Sequence, residues 1–131
     1  MDHSVDTLTS AVLCTFPRGR VWEVFKHCPS LAFDVTWLAA TQEMILNENL
    51  LSIGRRNAVE CAAYYIVYLY LRAGDVGLVT EGKVRFPFTQ EHLADALGLS
   101  LVHTNKTLER LSARGLMQWE HGWCFIPALA H

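Results

Sequence analysis

The segment from Thr89 to Leu111 constrains this chain more than any other. Thr89-Gln-Glu-His-Leu-Ala-Asp-Ala-Leu-Gly98 reads as a short helix. Thr89 can cap its start, Leu93, Ala94 and Leu97 form one inner face, and Gly98 ends it. Ser100-Leu-Val-His-Thr-Asn-Lys-Thr-Leu-Glu-Arg-Leu111 reads as a second helix, with the Ser100 hydroxyl as its cap. Thr104, Thr107, Leu108 and Leu111 fall on one side of it. Val102, His103, Asn105, Lys106 and Arg110 fall largely on the other. Two short helices joined at Gly98-Leu99-Ser100 describe a helix-turn-helix, whose second helix enters the DNA major groove.

A wing follows. Gly115 stops the second helix, so the recognition element spans residues 100–114. Leu116-Met-Gln-Trp-Glu120 and Trp123-Cys-Phe-Ile126 are short β-prone runs around His121-Gly122, which suits a tight hairpin. Val84-Arg-Phe-Pro-Phe88 offers a third strand, and Pro87 places it at an edge. Asn57 can cap a preceding helix from Ala58 to about Arg72, apolar nearly all round. Ala73-Gly-Asp-Val-Gly77 is the loop out of it. The expected fold is mainly α with a small β part: a long dimerisation helix followed by a winged helix-turn-helix.

The long helix is read from about Leu31 to Ser52, with Ser30 as its cap. Leu31, Val35, Leu38 and Ile45 form a heptad stripe, with Gln42 and Asn49 as polar positions that can fix register. Phe33, Trp37, Ala40 and Met44 form a second stripe on nearly the opposite face. A helix apolar on two sides must be covered on two sides. The rest of the chain is too short to do both, which points to a homodimer through the first stripe. The alternative is an ordinary core helix in a monomer. Ile53-Gly-Arg-Arg56 interrupts the pattern, and Gly54 suits a hinge. Upstream, residues 7–16 read as a β-branched strand, Pro17-Arg-Gly19 as a turn, and Val21 to Lys26 as a short helix stopped near Pro29. A single strand lacks partners, so this segment reads as the tail of a larger β-domain. The expected divisions are residues 1–30, 31–56 and 57–131.

At 131 residues and 51% hydrophobic content the chain fits one ordinary domain or two very small ones and is too apolar for disorder. A net charge of -2 means that a DNA reader here needs a local basic patch. The first residues lack the basic start of a signal peptide, and no apolar run approaches the ~20 residues of a membrane span. A cytoplasmic protein is expected. Cys14, Cys28, Cys61 and Cys124 make no metal-ligand spacing and read as reduced thiols in or near a core. His27-Cys28 and His121 with Cys124 are weak metal suggestions beside that reading.

Three runs, Ser52-Ile-Gly-Arg-Arg-Asn-Ala-Val-Glu60, Phe88 to Ser100, and Val102 to Leu111, resemble the Crp/Fnr transcription regulators. The resemblance spans the chain and is most specific in its last eighty residues or so. It implies base contacts by Val102, Asn105 and Lys106 with His103 nearby, and phosphate or cap roles for Thr89, Gln90 and Ser100. The family usually has Arg where Lys106 stands, and many members have Glu where Val102 stands. Lysine lacks the guanidinium fork, and valine cannot accept from cytosine, so the target sequence is not inherited. The resemblance also implies an N-terminal effector-binding β-roll, of which this chain looks like it keeps only the ending. The Gly-rich phosphate cassette is absent, so no cyclic nucleotide is expected; no cysteine cluster supports an iron–sulfur sensor, and no other cofactor is expected. DNA with an inverted repeat, a second copy of the chain, and RNA polymerase are the implied partners.

Lys106 and Arg110 on one helix face can be a solvated surface, but the winged-helix context favours DNA contact. Arg55 and Arg56 fit the hinge better than phosphate. Trp119 and Trp123 fit wing-core packing better than a stacking platform. Glu43, Glu48 and Glu60 do not converge with a nucleophile, so no enzyme is expected. The function expected is dimeric, sequence-specific DNA binding in transcription control. The alternative is an interaction module that forms mixed dimers with full-length relatives.

Overall fold

The computed structural model describes residues 5–129, apart from the side chains of Asn49 and Ile53. Two compact units divide it, Met1–Leu51 and Ser52–His131. In the first, residues 7–16 form irregular, exposed chain and not the expected strand. β-Branched composition favours a strand only where neighbours accept its backbone groups, and this segment pairs with none among the described residues. A 3-10 turn at Arg18–Arg20 leads into α1 (Val21–His27), where Arg20 pairs with Glu23 at 2.7 Å.

Helix α2 spans Pro29–Arg55. It begins one residue before the expected Ser30 cap, with Pro29 in the first turn. There its missing N–H is no loss and its fixed φ suits the helix. The helix also runs through Gly54 instead of breaking there. Arg56 still donates its N–H to the Ser52 carbonyl at 3.0 Å. The break comes at Asn57, which is extended (φ -75°, ψ 166°) because it caps the next helix. Asn57 Oδ1 accepts from the N–H groups of Val59 and Glu60, and Glu60 accepts from the Asn57 N–H at 2.9 Å. This reciprocal cap fixes where α3 starts.

The cap opens α3 (Ala58–Asp75), which buries Ala62, Ile66, Tyr70 and Ala73 at helical spacing. The Tyr70 hydroxyl donates to the Gly82 carbonyl at 2.8 Å, tying the helix to the sheet. The strands are β1 (Val79–Thr80), β2 (Lys83–Arg85), β3 (Gln118–Glu120) and β4 (Trp123–Phe125). They form an antiparallel sheet in the order β1-β2-β4-β3. β2 is therefore internal, not the expected edge. Strand β1 was not anticipated and covers it, while Pro87 lies past the end of β2 and costs no ladder bond. Both hairpin turns have positive φ at their central residues: Glu81 (51°) and Gly82 (70°), His121 (52°) and Gly122 (82°). That is the requirement of the type I′ turn, whose twist matches that of paired strands.

Helices α4 (Gln90–Leu97) and α5 (Leu101–Ala113) complete the unit, joined through Gly98 in the left-handed region (φ 64°). The core gathers Ile66, Val84, Phe86, Leu93, Leu111 and Ile126 around Cys124. Burial pushes the Cys124 thiol up to about 12, so it stays protonated and apolar in character. Cys61 is half-buried, whereas Cys14 and Cys28 are exposed, contrary to the expectation that all four thiols lie in or near a core. Trp119 packs edge-on against Phe86 and Phe88, as expected of wing-core packing. Trp123 instead keeps 45% of its surface on the outer face of the sheet. Its neighbour Cys124 points inward, and side chains alternate along a strand. Among the described residues no helix is long and apolar enough to cross a membrane.

The hydroxyls of Thr104 and Thr107 are buried with no hydrogen-bond partner among the described residues. Leaving a buried hydroxyl unpaired costs about 1–3 kcal/mol, and valine has the same shape without that cost. Thr104→Val is therefore expected to stabilise the second unit by about 1 kcal/mol in urea unfolding. A loss of stability of that size would show that the hydroxyl has a partner in solution.

Candidate nucleic-acid interface

The candidate surface is the outward side of α5. Its inner side is set by Thr104, Thr107, Leu108 and Leu111, all buried against the core as their spacing requires. At 100° per residue, Val102, Lys106, Glu109 and Ala113 then point directly away from that core. All four are exposed, Val102 by 66%.

The two flanks of this face differ. On one side His103, Arg110 and Arg114 line a groove shared with Asn57 and Glu60 at the start of α3. On the other, Asn105 and Ser112, with Glu109 at the margin of the outward line, share a groove with Gln90 of α4 and with Trp119 and Glu120 of the wing. Asn105 is half-buried there, and its Oδ1 has no partner among the described residues. Lys106, Arg110 and Arg114 make no ion pair among the described residues. Arg20 and Arg72 elsewhere are paired with Glu23 and Asp75. Unpaired cations grouped on one exposed helix face are a footprint suited to phosphate.

Two of the expected contact residues hold the helix starts. Ser100 Oγ accepts from the His103 N–H at 3.3 Å. Thr89 Oγ1 accepts from the His92 N–H at 3.4 Å, and the Thr89 N–H donates to His92 Nδ1 at 3.1 Å. His92 thus fills the position where Glu or Gln usually completes a capping box. With Nδ1 accepting, the ring proton is assigned to Nε2. Gln90 is exposed on the first turn of α4.

Arg56 has a structural environment. It donates to Ser52 Oγ at 2.6 Å and its guanidinium lies 4.5 Å over the Tyr64 ring. Arg55 is exposed at the end of α2. Glu60 serves the Asn57 cap. Glu109, exposed on the same outward line, was not among the residues expected from the sequence. The signal was available, since it lies one turn beyond Lys106 and two beyond Val102.

The stripe expected to form a dimer seam lies in the first unit. Leu31, Val35, Leu38 and Gln42 are exposed and Ile45 is half-buried; the Asn49 side chain lies outside the described residues. Phe33, Trp37 and Met44 on the other side are exposed too.

Comparison with known proteins places these features. Residues 62–130 match the Crp-like helix-turn-helix domain. The nitrogen fixation regulation protein FixK of Rhizobium meliloti (strain 1021) is 30% identical over 118 residues, covering 88% of this chain and 50% of that protein. The transcriptional activatory protein AadR of Rhodopseudomonas palustris is 25% identical over 114 residues, covering 87% of this chain and 47% of that protein. This chain spans about half the length of these relatives. The solved structure of FixK2 from Bradyrhizobium japonicum shares the fold, with a TM-score of 0.68 at 19% identity over 84% of this chain and 54% of that one.

Proposed function

The chain belongs to the family of Crp-like helix-turn-helix transcription regulators, and from that premise we propose that it binds DNA as a symmetric homodimer with α5 in the major groove. One observation carries this reading: α5 presents an exposed face of Val102, Lys106 and Arg110 whose cations have no partner among the described residues. Lys106 lies at its centre and donates to a base edge, guanine O6 or N7 being the natural acceptors. Val102 can pack on a thymine methyl. Arg110, Arg114 and His103 lie on a flank suited to the phosphate rim, which positions the helix without reading sequence. Thr89, Gln90 and Ser100 stand at the N-termini of α4 and α5, where backbone N–H groups favour phosphate. The seam is the stripe of Leu31, Val35, Leu38, Gln42, Ile45 and Asn49. A two-fold dimer matches an inverted repeat, with half-sites about 34 Å apart.

Lys106→Ala and Arg110→Ala separate base reading from positioning. Lys106→Ala is expected to lose about 1–3 kcal/mol of discrimination at one base pair. Arg110→Ala is expected to weaken all duplexes about equally. Competition binding against the preferred site and its single-base variants reads both effects. An unchanged preference for Lys106→Ala would remove base reading from Lys106. If no duplex is bound at all, an interaction module that dimerises with relatives is what remains.

A further inference from the structure

Helix α5 carries a single acidic residue, Glu109. It is exposed on the same outward line as Val102 and Lys106. It makes no hydrogen bond or ion pair among the described residues, although Lys106 stands only one turn away. A carboxylate can only accept hydrogen bonds. Against phosphate it is repelled, so on a surface that meets DNA it is tolerated where it faces a donor.

The major groove offers two kinds of base donor, cytosine N4 and adenine N6. Adenine sets its N7 lone pair beside that donor, facing the second carboxylate oxygen. Cytosine has no such neighbour, and carboxylates pair naturally with its N4. Reach is sufficient. Val102 and Glu109 are seven residues apart, roughly 10 Å along the helix axis. The groove is about 12 Å wide, so both positions fit within it.

We propose that Glu109 is a specificity-determining residue that accepts from the exocyclic amino group of a cytosine and so selects a C·G pair within each half-site. This rests on the major-groove placement of α5 proposed above. Glu109 also acts by rejection: a register that sets its charge against the backbone is penalised, which sharpens the choice of site.

Binding-site selection from randomised duplexes with the wild type, Glu109→Gln and Glu109→Ala tests this. The wild type is expected to enrich C·G at one position of each half-site. Glu109→Ala should lose about tenfold of that preference. Glu109→Gln should move it toward A·T, because an amide can both donate to and accept from adenine. Thermal unfolding should match the wild type in both, as the side chain is exposed and unpartnered. An identical consensus for all three proteins, with only uniformly tighter binding in the variants, would overturn the proposal and place Glu109 beside phosphate. A wild type that binds no duplex would overturn the major-groove reading itself, so the two failures are distinct.

Discussion

Leu38→Glu is expected to convert a dimer into a monomer at tens of micromolar. Helix α2 leaves Leu31, Val35 and Leu38 about half exposed, at 49%, 52% and 47%. Fully burying one such side chain contributes about 1.5–3 kcal/mol, so a seam of two facing stripes is strongly driven. A glutamate at position 38 puts two unpaired charges into that seam. Each uncompensated buried charge costs about 3–5 kcal/mol, enough to raise the dissociation constant at least about 10²-fold. Trp37→Glu provides the contrast, because Trp37 lies on the opposite stripe. It should leave the dimer intact and reduce higher association through Phe33, Trp37 and Met44. Sedimentation measures all three proteins. A wild type that is monomeric at tens of micromolar would overturn the homodimer. A monomer from Trp37→Glu and a dimer from Leu38→Glu would move the seam to the other face.

Local signals were legible wherever a single residue decides the backbone. Asn57, Thr89 and Ser100 each cap the helix expected of them, and Gly98 takes the left-handed conformation that ends α4. The inner face of α5 was also legible, because four residues at helical spacing are buried together. Features that depend on a distant partner were not. Strand β1 has two residues and exists through pairing with Lys83 and Val84. Its turn sets Glu81 at positive φ, which nothing in that residue type announces. The internal position of β2 follows from β1 and was hidden with it. Residues 7–16 carry strand composition but lack a neighbouring strand among the described residues. Even Gly54 misled: its helix penalty of about 1 kcal/mol is small beside the order imposed by a 27-residue helix and a capped neighbour. At the site, the cationic positions stood out by charge, while Glu109 shows its place only once the whole outward line of α5 is traced.

The steepest expected effect is that of salt. Lys106, Arg110 and Arg114 are unpaired among the described residues, and on random-sequence duplex, where Lys106 has no preferred base to meet, two protomers would bring about six such cations to phosphate. Each neutralised phosphate releases condensed counterions, which makes the logarithm of affinity fall with the logarithm of salt by about 0.9 per contact. Raising salt from roughly 50 to 200 mM should then weaken binding by on the order of 10³-fold. Replacing Arg114 by alanine in both protomers should lower the slope by about 2. These effects require the cations to meet DNA, and a merely solvated helix face would not produce them. Titration of the wild type against random-sequence duplex across that salt range tests the DNA-binding role of α5 most directly. A steep decline that flattens when Lys106, Arg110 and Arg114 are all replaced by alanine is the expected result. No binding at the lowest salt, or an affinity indifferent to salt and to those three residues, would contradict it.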